Sequence, residues 1–172
     1  MSAAMRSKVL VAGVGNVFLS DDGFGVEVVR RLQARGGLPT GVELLDVGIR
    51  GVHLAYQLLD GYDALVLVDA TRRGDVPGTM YVIEHDLAAP PSDVPPLDGH
   101  GLDPDAVLAL MANLASSMGV ERPVERVLVV GCEPATLAEA MGLSTPVAAA
   151  VERAAQIVLD LTRELVMEGA PR

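Results

Sequence analysis

Three aspartates and one histidine have the residue types expected of a site for a divalent cation. Asp22 follows a glycine-containing turn, Asp46 and Asp69 end apolar stretches typical of strands, and His100 lies between two glycines in a proline-rich segment. Carboxylate and imidazole ligands together suit Ni, Zn or a similar divalent ion rather than Cu(I) or Ca. His100 is equally compatible with an exposed loop residue that binds nothing.

The three aspartates are expected to converge, because the carboxyl ends of parallel strands line the ligand crevice of an open α/β sheet. Carboxylates held together repel one another, so a cation or a proton is expected among them. Asp21 stands beside Asp22 near the start of a predicted helix. For Asp21 we favour a helix-capping role, since a carboxylate at a helix N-terminus interacts favourably with the helix dipole.

A nucleotide-binding turn is the main alternative for this region. Residues 13–16 (GVGN) follow a predicted strand and precede a helix, and Asp46 stands where a ribose-binding acid would. Phe18, however, takes the place of the third glycine of G-x-G-x-x-G, and Asp21 and Asp22 occupy the helix start that a pyrophosphate would need. Charge repulsion therefore disfavours phosphate at this turn.

The chain lacks the common signatures of serine and zinc hydrolases. Neither G-x-S-x-G nor H-E-x-x-H occurs. Cys132 ends a predicted strand and is expected to be buried, although a Cys/His pair with His100 stays open. Glu133 precedes a proline and is expected to be a turn element. His53 and His85 are expected to be structural or solvated.

The elements that must position these residues alternate between strand and helix. Valine- and leucine-rich runs typical of buried parallel strands cover 9–14, 42–47, 64–70 and 126–130. Helical patterns cover 25–34, 52–59, 105–118 and a stretch from Ser144 to near Met167. Segment 79–84 follows its preceding strand too closely for a parallel crossover, which predicts an antiparallel edge strand. The pattern predicts a three-layer α/β domain with a mixed five-stranded sheet and a long loop at 86–102.

Composition indicates a single domain spanning 1–172, with a core over about residues 8–165. With 50% hydrophobic residues and a net charge of −10, the chain can bury a core but lacks the basic surface that nucleic-acid binding requires. No apolar run approaches membrane-spanning length, the first residues lack a signal-peptide core, and one cysteine forms no intrachain disulfide. We therefore expect a cytoplasmic protein without nucleic-acid or membrane partners.

Seven segments, in order along the chain, resemble the nickel–iron hydrogenase maturation endopeptidases. They are 9–25 (VLVAGVGNVFLSDDGFG), 46–51 (DVGIRG), 65–70 (LVLVDA), 77–79 (PGT), 98–102 (DGHGL), 129–134 (VVGCEP) and 142–144 (GLS). The resemblance implies a three-layer α/β/α sandwich with a mixed five-stranded sheet. It also implies a protease, grouped with the aspartic-type endopeptidases, that removes a C-terminal extension from the precursor of the hydrogenase large subunit after nickel insertion.

The same resemblance implies metal ligands at Asp22, Asp69 and His100 and a functional role for Asp46. Asp22 is one methylene shorter than the glutamate often found at its position in the family. Nickel is then carried by the substrate, the free protease holds no permanent metal, and zinc or cadmium could occupy the site in vitro. The partner implied is the large-subunit precursor, while the hydrogenase isoenzyme and the oligomeric state stay open.

Two mechanisms of peptide hydrolysis are open at this point. The metal polarises the scissile carbonyl or activates a bound water, or it only positions the substrate while Asp46 or another acid acts as general base. Phe18 and Leu19 either form part of a substrate groove or pack beneath the turn. Outside the resemblance, the alternatives are a non-catalytic nickel-sensing or protein-binding module and, less favoured, a nucleotide-binding enzyme.

Overall fold

The structure is a computed structural model that describes residues 7–85, 109, 112–113, 115–119 and 124–169. Its strands are β1 (Val9–Val14), β2 (Val42–Gly48), β3 (Tyr62–Ala70), β4 (Met80–His85) and β5 (Val124–Cys132). Its longer helices are α1 (Phe24–Arg35), α2 (Gly51–Leu58) and α3 (Thr145–Glu168), and a one-turn 3₁₀ helix, Ser20–Gly23, precedes α1. Residues 109, 112–113 and 115–118 are also helical.

The strands form one mixed sheet in the order β2-β1-β3-β5-β4. β1 lies parallel to both β2 and β3, and β3 lies parallel to β5. β4 runs antiparallel to β5 at the edge of the sheet, with Met80 opposite Cys132 and His85 opposite Val127. This arrangement confirms the predicted antiparallel edge strand, because the connection from β3 to β4 is too short for a crossover.

Alternate side chains of the central strands enter two apolar cores, one on each face of the sheet. On one face, Val9 and Val66 pack with buried residues of α1 and α3. On the other face, Leu10 and Leu65 pack with buried residues of α2. A sheet covered on both faces needs continuous apolar strands, which is why the strand sequences are valine and leucine runs rather than alternating patterns. The predicted three-layer α/β/α architecture is confirmed.

The strand order places a crevice at the carboxyl end of β1, and this crevice positions the site. β2 and β3 flank β1 on opposite sides, so the chain reverses its direction of travel across the sheet at β1. In open α/β sheets, ligands bind at such a reversal, outside the carboxyl ends of the strands. The turn between β1 and α1 lies there, beside the ends of β2 and β3.

The other predicted helices and strands lie where the sequence placed them, with shifts of at most two residues at their ends, whereas the helix predicted at 105–118 is described only in part. The C-terminal helix begins directly after Ser144, with a proline in its first turn, and ends at Glu168. The loop at 86–102 and most of the helix predicted at 105–118 lie outside the described residues. Within the described residues, no helix has the length and apolarity needed to cross a membrane.

Gly25 is where α1 approaches the sheet most closely, and its substitution tests this packing. A Cβ on Gly25 would lie 2.0 Å from the Val68 carbonyl oxygen and 2.6 Å from that of Val14. Because these obstacles are backbone atoms, we expect Gly25→Ala to lower the free energy of unfolding by about 3 kcal/mol, the upper range for overpacking. Urea unfolding followed by circular dichroism measures the change.

Gly61→Ala is the matched control for this substitution. Gly61 has φ +87° and open space around it, so its variant reports only the backbone strain of about 1–2 kcal/mol. An unfolding free energy for Gly25→Ala no lower than that of the Gly61 variant would contradict the close approach of α1 to the sheet.

Candidate active site

Asp22 is held in the one-turn helix that joins β1 to α1. Its side chain is buried, with 7% of the residue exposed. The backbone N–H of Asn16 donates to Asp22 Oδ2 at 2.8 Å, and the Asp22 N–H donates to the Leu19 carbonyl at 3.1 Å. The turn therefore folds back on itself and fixes the carboxylate at the carboxyl end of β1.

Gly15 lies close to the backbone of Asp22 and to the side chain of Asp69. A Cβ on Gly15 would lie 1.8 Å from the Asp22 carbonyl oxygen and 3.6 Å from Asp69 Oδ1. Gly15 also has φ +132°, a conformation that side-chain-bearing residues rarely adopt. Asp69, at the end of β3, is 9% exposed. Gly15 therefore lies between the Asp22 backbone and the Asp69 side chain, at a position that accommodates glycine alone.

Asp46 lies at the same edge but in a different environment. It is an exposed residue near the end of β2, and its carboxylate lies 3.7 Å from the Arg30 guanidinium of α1. Among the described residues, no group of three His, Cys, Asp or Glu side chains is placed to hold one metal ion. The expected convergence of Asp22, Asp46 and Asp69 on one ion is therefore not observed, and Asp46 instead forms an ion pair with Arg30.

His100, the third ligand implied by the resemblance, lies outside the described residues. Of the other histidines, His53 is exposed on α2. His85 ends β4, opposite Val127 near the start of β5 and thus at the far edge of the sheet from the acids. Neither of these two histidines is placed to complete a site with Asp22 and Asp69.

Three backbone N–H groups of the turn after β1 donate hydrogen bonds within the protein. The Gly15 N–H donates to the Gly48 carbonyl, the Asn16 N–H donates to Asp22, and the Leu19 N–H donates to the Asn16 carbonyl. A dinucleotide turn needs free N–H groups of this kind to bind pyrophosphate. The geometry thus agrees with the charge argument against a nucleotide.

The helix-capping role predicted for Asp21 is wrong. Neither the one-turn helix nor α1 has a side-chain cap, and Asp21, fully buried, accepts hydrogen bonds from residues far along the chain. Its partners are the N–H groups of Ala135, Thr136 and Ser144 and the Ser144 hydroxyl. Burial opposes ionisation, but these hydrogen bonds outweigh it and lower the pKa of Asp21.

Glu133 has the turn-element role that the sequence suggested. It is 3% exposed and accepts hydrogen bonds from the N–H groups of Arg73 and Gly74, in the loop after Asp69. The hydroxyl of Tyr81, which the sequence analysis did not single out, also donates to Glu133. Although burial opposes ionisation, these hydrogen bonds lower the pKa of Glu133, which stays an anion that anchors the loop.

Cys132 is a buried thiol and not an activated nucleophile. It is fully buried at the end of β5, and burial, together with the nearby charge of Asp21, raises its pKa to about 11. A nucleophilic cysteine needs a lowered pKa and access to substrate. The expectation of a buried structural cysteine is confirmed.

Exposed apolar side chains lie on the turn that carries Asp22 and on the segment paired with it. Phe18 is 63% exposed and Met141 is 73% exposed. Leu19, half-buried, forms a parallel bridge with Ala140. Leu19 is thus partly covered, whereas the Phe18 side chain faces solvent on the turn that leads to Asp22.

Comparisons with known proteins agree on one family. Residues 26–161 match the hydrogenase maturation protease family. The chain is 32% identical over 166 residues to the hydrogenase 2 maturation protease of Escherichia coli, with 96% of each chain covered. It is 34% identical over 165 residues to the hydrogenase expression/formation protein HupM of Azotobacter chroococcum, covering 95% of this chain and 76% of that protein. The solved structure of the hydrogenase maturating endopeptidase HybD from E. coli matches with a TM-score of 0.72 at 32% identity, covering 91% of this chain and 93% of that chain.

The raised pKa of Cys132 makes a prediction about its reactivity. A rise from 9.0 to about 11 lowers the thiolate fraction at pH 8 by about 100-fold. We therefore expect iodoacetamide to label the native protein at least about 100-fold more slowly than the urea-unfolded protein, with mass spectrometry as the readout. The unfolded chain is the internal control, and equal labelling rates in the two states would show that the thiol is accessible.

Proposed function

This chain belongs to the hydrogenase maturation protease family and is a peptide-bond hydrolase, and from that premise we propose that it removes the C-terminal extension of a nickel-loaded large-subunit precursor. The observation that carries the proposal is that the Asp22 backbone and the Asp69 carboxylate both lie beside Gly15, next to the strand at which the chain reverses its direction across the sheet. Two buried carboxylates there offer hard oxygen ligands to a cation that a substrate brings.

In this proposal the nickel belongs to the substrate. Asp22 and Asp69, with His100, bind nickel already held by the precursor, so that a precursor without metal lacks the contact that places its scissile bond. The free protease then holds no permanent metal. Holding the scissile bond in one orientation makes the hydrolysis effectively unimolecular. This positioning lowers the activation barrier of hydrolysis by several kcal/mol.

Hydrolysis needs a water that attacks the scissile carbonyl and loses its proton, and a leaving amine that gains one. When bound, nickel polarises the carbonyl or the attacking water as a Lewis acid. Asp46 lies at the same edge, and its exposure gives its carboxylate the access to water that a general base requires. An Asp46→Asn variant that binds the loaded precursor but does not cleave it would assign the proton transfer to Asp46.

The exposed side chain of Phe18 supports a substrate surface beside the acids. Because Phe18 projects from the turn that carries Asp22, a precursor whose nickel contacts Asp22 also lies against this ring. The membership in a family of proteases, and the engaged N–H groups of the turn, disfavour the alternatives of a non-catalytic module and a nucleotide enzyme.

Asp69→Asn tests the assignment of the metal-binding carboxylates. We expect processing of the nickel-loaded precursor to fall by more than about 100-fold, since loss of a ligand exceeds the roughly 10–100-fold effect of an outer-shell partner. The mass of the large subunit after incubation reports loss of the extension. Precursor prepared without nickel should not be cleaved by the wild-type protein.

Asp63→Asn is the matched control, because Asp63 lies near the opposite end of β3, where it is exposed and accepts a hydrogen bond from the Lys8 N–H. The Asp63→Asn variant should process the nickel-loaded precursor at the wild-type rate. Wild-type processing by the Asp69 variant would remove Asp69 from the site, and equal cleavage of loaded and nickel-free precursor would remove nickel from recognition.

Phe18→Ala tests the substrate surface. Burial of a phenylalanine side chain contributes about 1.5–3 kcal/mol, so we expect KM for the loaded precursor to rise by about 10-fold or more. Met167→Ala removes a side chain of similar exposure, 77%, near the end of α3, and should leave KM unchanged. Unchanged KM for both variants would place Phe18 outside the contact.

A further inference from the structure

Asp21 is a fully buried carboxylate that joins the Asp22 turn to a distant segment. The partners of Asp21 come from residues 135–144, which we call the brace segment. Asp21 Oδ2 accepts hydrogen bonds from the N–H groups of Ala135 at 2.8 Å and Thr136 at 3.1 Å and from the Ser144 hydroxyl at 2.8 Å. Asp21 Oδ1 accepts the Ser144 N–H at 2.7 Å. The oxygens of one side chain thus hold both ends of the brace segment.

The backbone of the turn is tied to the same segment. The Ser20 N–H donates to the Ala140 carbonyl at 2.8 Å, and the Ala140 N–H donates to the Phe18 carbonyl at 3.0 Å. The Ser20 hydroxyl donates to the Ala138 carbonyl at 2.7 Å. Residues 18–20 of the turn and residues 138–140 of the brace segment therefore pair like two short strands, directly before Asp21.

Ser20 has a conformation that needs this support. Its φ is +52°, in the left-handed region, which costs a residue other than glycine about 1–2 kcal/mol. Such a conformation persists when the surrounding contacts over-determine it, and it occurs at functional sites. Asp22 follows two residues later in the same one-turn helix, so its direction depends on the backbone that the brace segment holds.

We propose that Asp21 is a positioning residue for the reaction: through the brace segment it holds the Asp22 carboxylate in the direction needed to contact the nickel of the precursor. This inference rests on the proposed function and adds a residue to it. A metal-binding carboxylate must be held to within about 0.5 Å, and the groups that orient it determine the affinity. Asp21 itself is fully buried and does not touch the substrate.

An amide cannot replace the carboxylate of Asp21. All four contacts of its side chain are with donors, three at Oδ2 and one at Oδ1. In Asp21→Asn, either orientation of the amide places an NH₂ group against at least one backbone N–H. The turn must then move away from the brace segment, and Asp22 moves with it.

The experiment separates nickel recognition from general binding. Wild-type and Asp21→Asn proteins cleave nickel-loaded precursor under steady-state conditions, and nickel-free precursor is added as a competitive inhibitor. KM for the loaded precursor reports binding that includes the nickel contact, and Ki for the nickel-free precursor reports binding without it. We expect KM to rise by about 10–100-fold in the variant while Ki stays within about twofold of wild type.

Other results overturn the proposal. A fall in kcat with unchanged KM and Ki means that the variant lowers the folded fraction without moving Asp22. A parallel rise of KM and Ki means that the whole substrate surface is loosened. If wild-type protein cleaves neither precursor, or both equally, the proposed function fails and this inference fails with it, and that result is distinct from failure of Asp21 alone.

Ser144 and Val158 provide matched variants if Asp21→Asn does not fold. Ser144→Ala removes one hydroxyl donor to Asp21 and should raise KM by about 2–5-fold, the effect of about one net hydrogen bond. Ser144→Thr keeps the hydroxyl and should restore the wild-type KM. Val158→Ala opens the core on α3, away from the turn, and should lower stability in urea without changing KM. Identical KM values for the Ala and Thr variants would contradict the proposal.

Discussion

Backbone-to-backbone contact between the start of α1 and the ends of β1 and β3 determines where the acids of the site lie. A Cβ on Gly13 would lie 2.4 Å from the Gly25 carbonyl oxygen, and one on Gly25 would lie 2.0 Å from that of Val68. The turn between these elements has little room, and within it Gly15 lies against the Asp22 backbone carbonyl and beside Asp69 Oδ1. Side chains at these glycines would separate the helix and the turn from the sheet.

Carboxylates around the crevice are held chiefly by backbone N–H donors. Asp21, Asp22 and Glu133 each accept hydrogen bonds from backbone N–H groups, whereas Asp46 pairs with the Arg30 guanidinium. A backbone donor stabilises the charged carboxylate without adding a competing cation. The edge of the sheet therefore keeps its negative charge, which suits a substrate that brings its own metal ion.

This arrangement connects specificity with catalysis in a maturation protease. If binding depends on a metal carried by the substrate, the enzyme distinguishes a loaded precursor by a difference in affinity rather than by the sequence it cleaves. The precision of that contact depends on residues that never touch the substrate. The brace segment has this role in our proposal, because it is tied to the turn through the buried side chains of Asp21 and Ser20.

The sequence alone determined the architecture, because apolar runs and helical spacing are local signals of burial. It also predicted the antiparallel β4, since the short connection after β3 excludes a crossover. The sequence placed Asp22 and Asp69 at the same edge of the sheet, because the carboxyl ends of parallel strands share one edge, and the pairing of β1 with β3 agrees with this placement.

Tertiary structure decided the role of each remaining charge. Asp21 and Asp22 are adjacent in the chain and alike in type, yet the Asp21 carboxylate binds the brace segment and the Asp22 carboxylate binds the Asn16 N–H within the turn. No local pattern distinguishes them, because the partner of Asp21 at Ser144 is 123 residues away. The ion pair of Asp46 with Arg30 is likewise invisible in the sequence, since it arises only when α1 packs beside β2. Hydrogen-bond partners that are distant in the chain are chosen by the fold, and those partners determine which carboxylate supports the structure and which is left for chemistry.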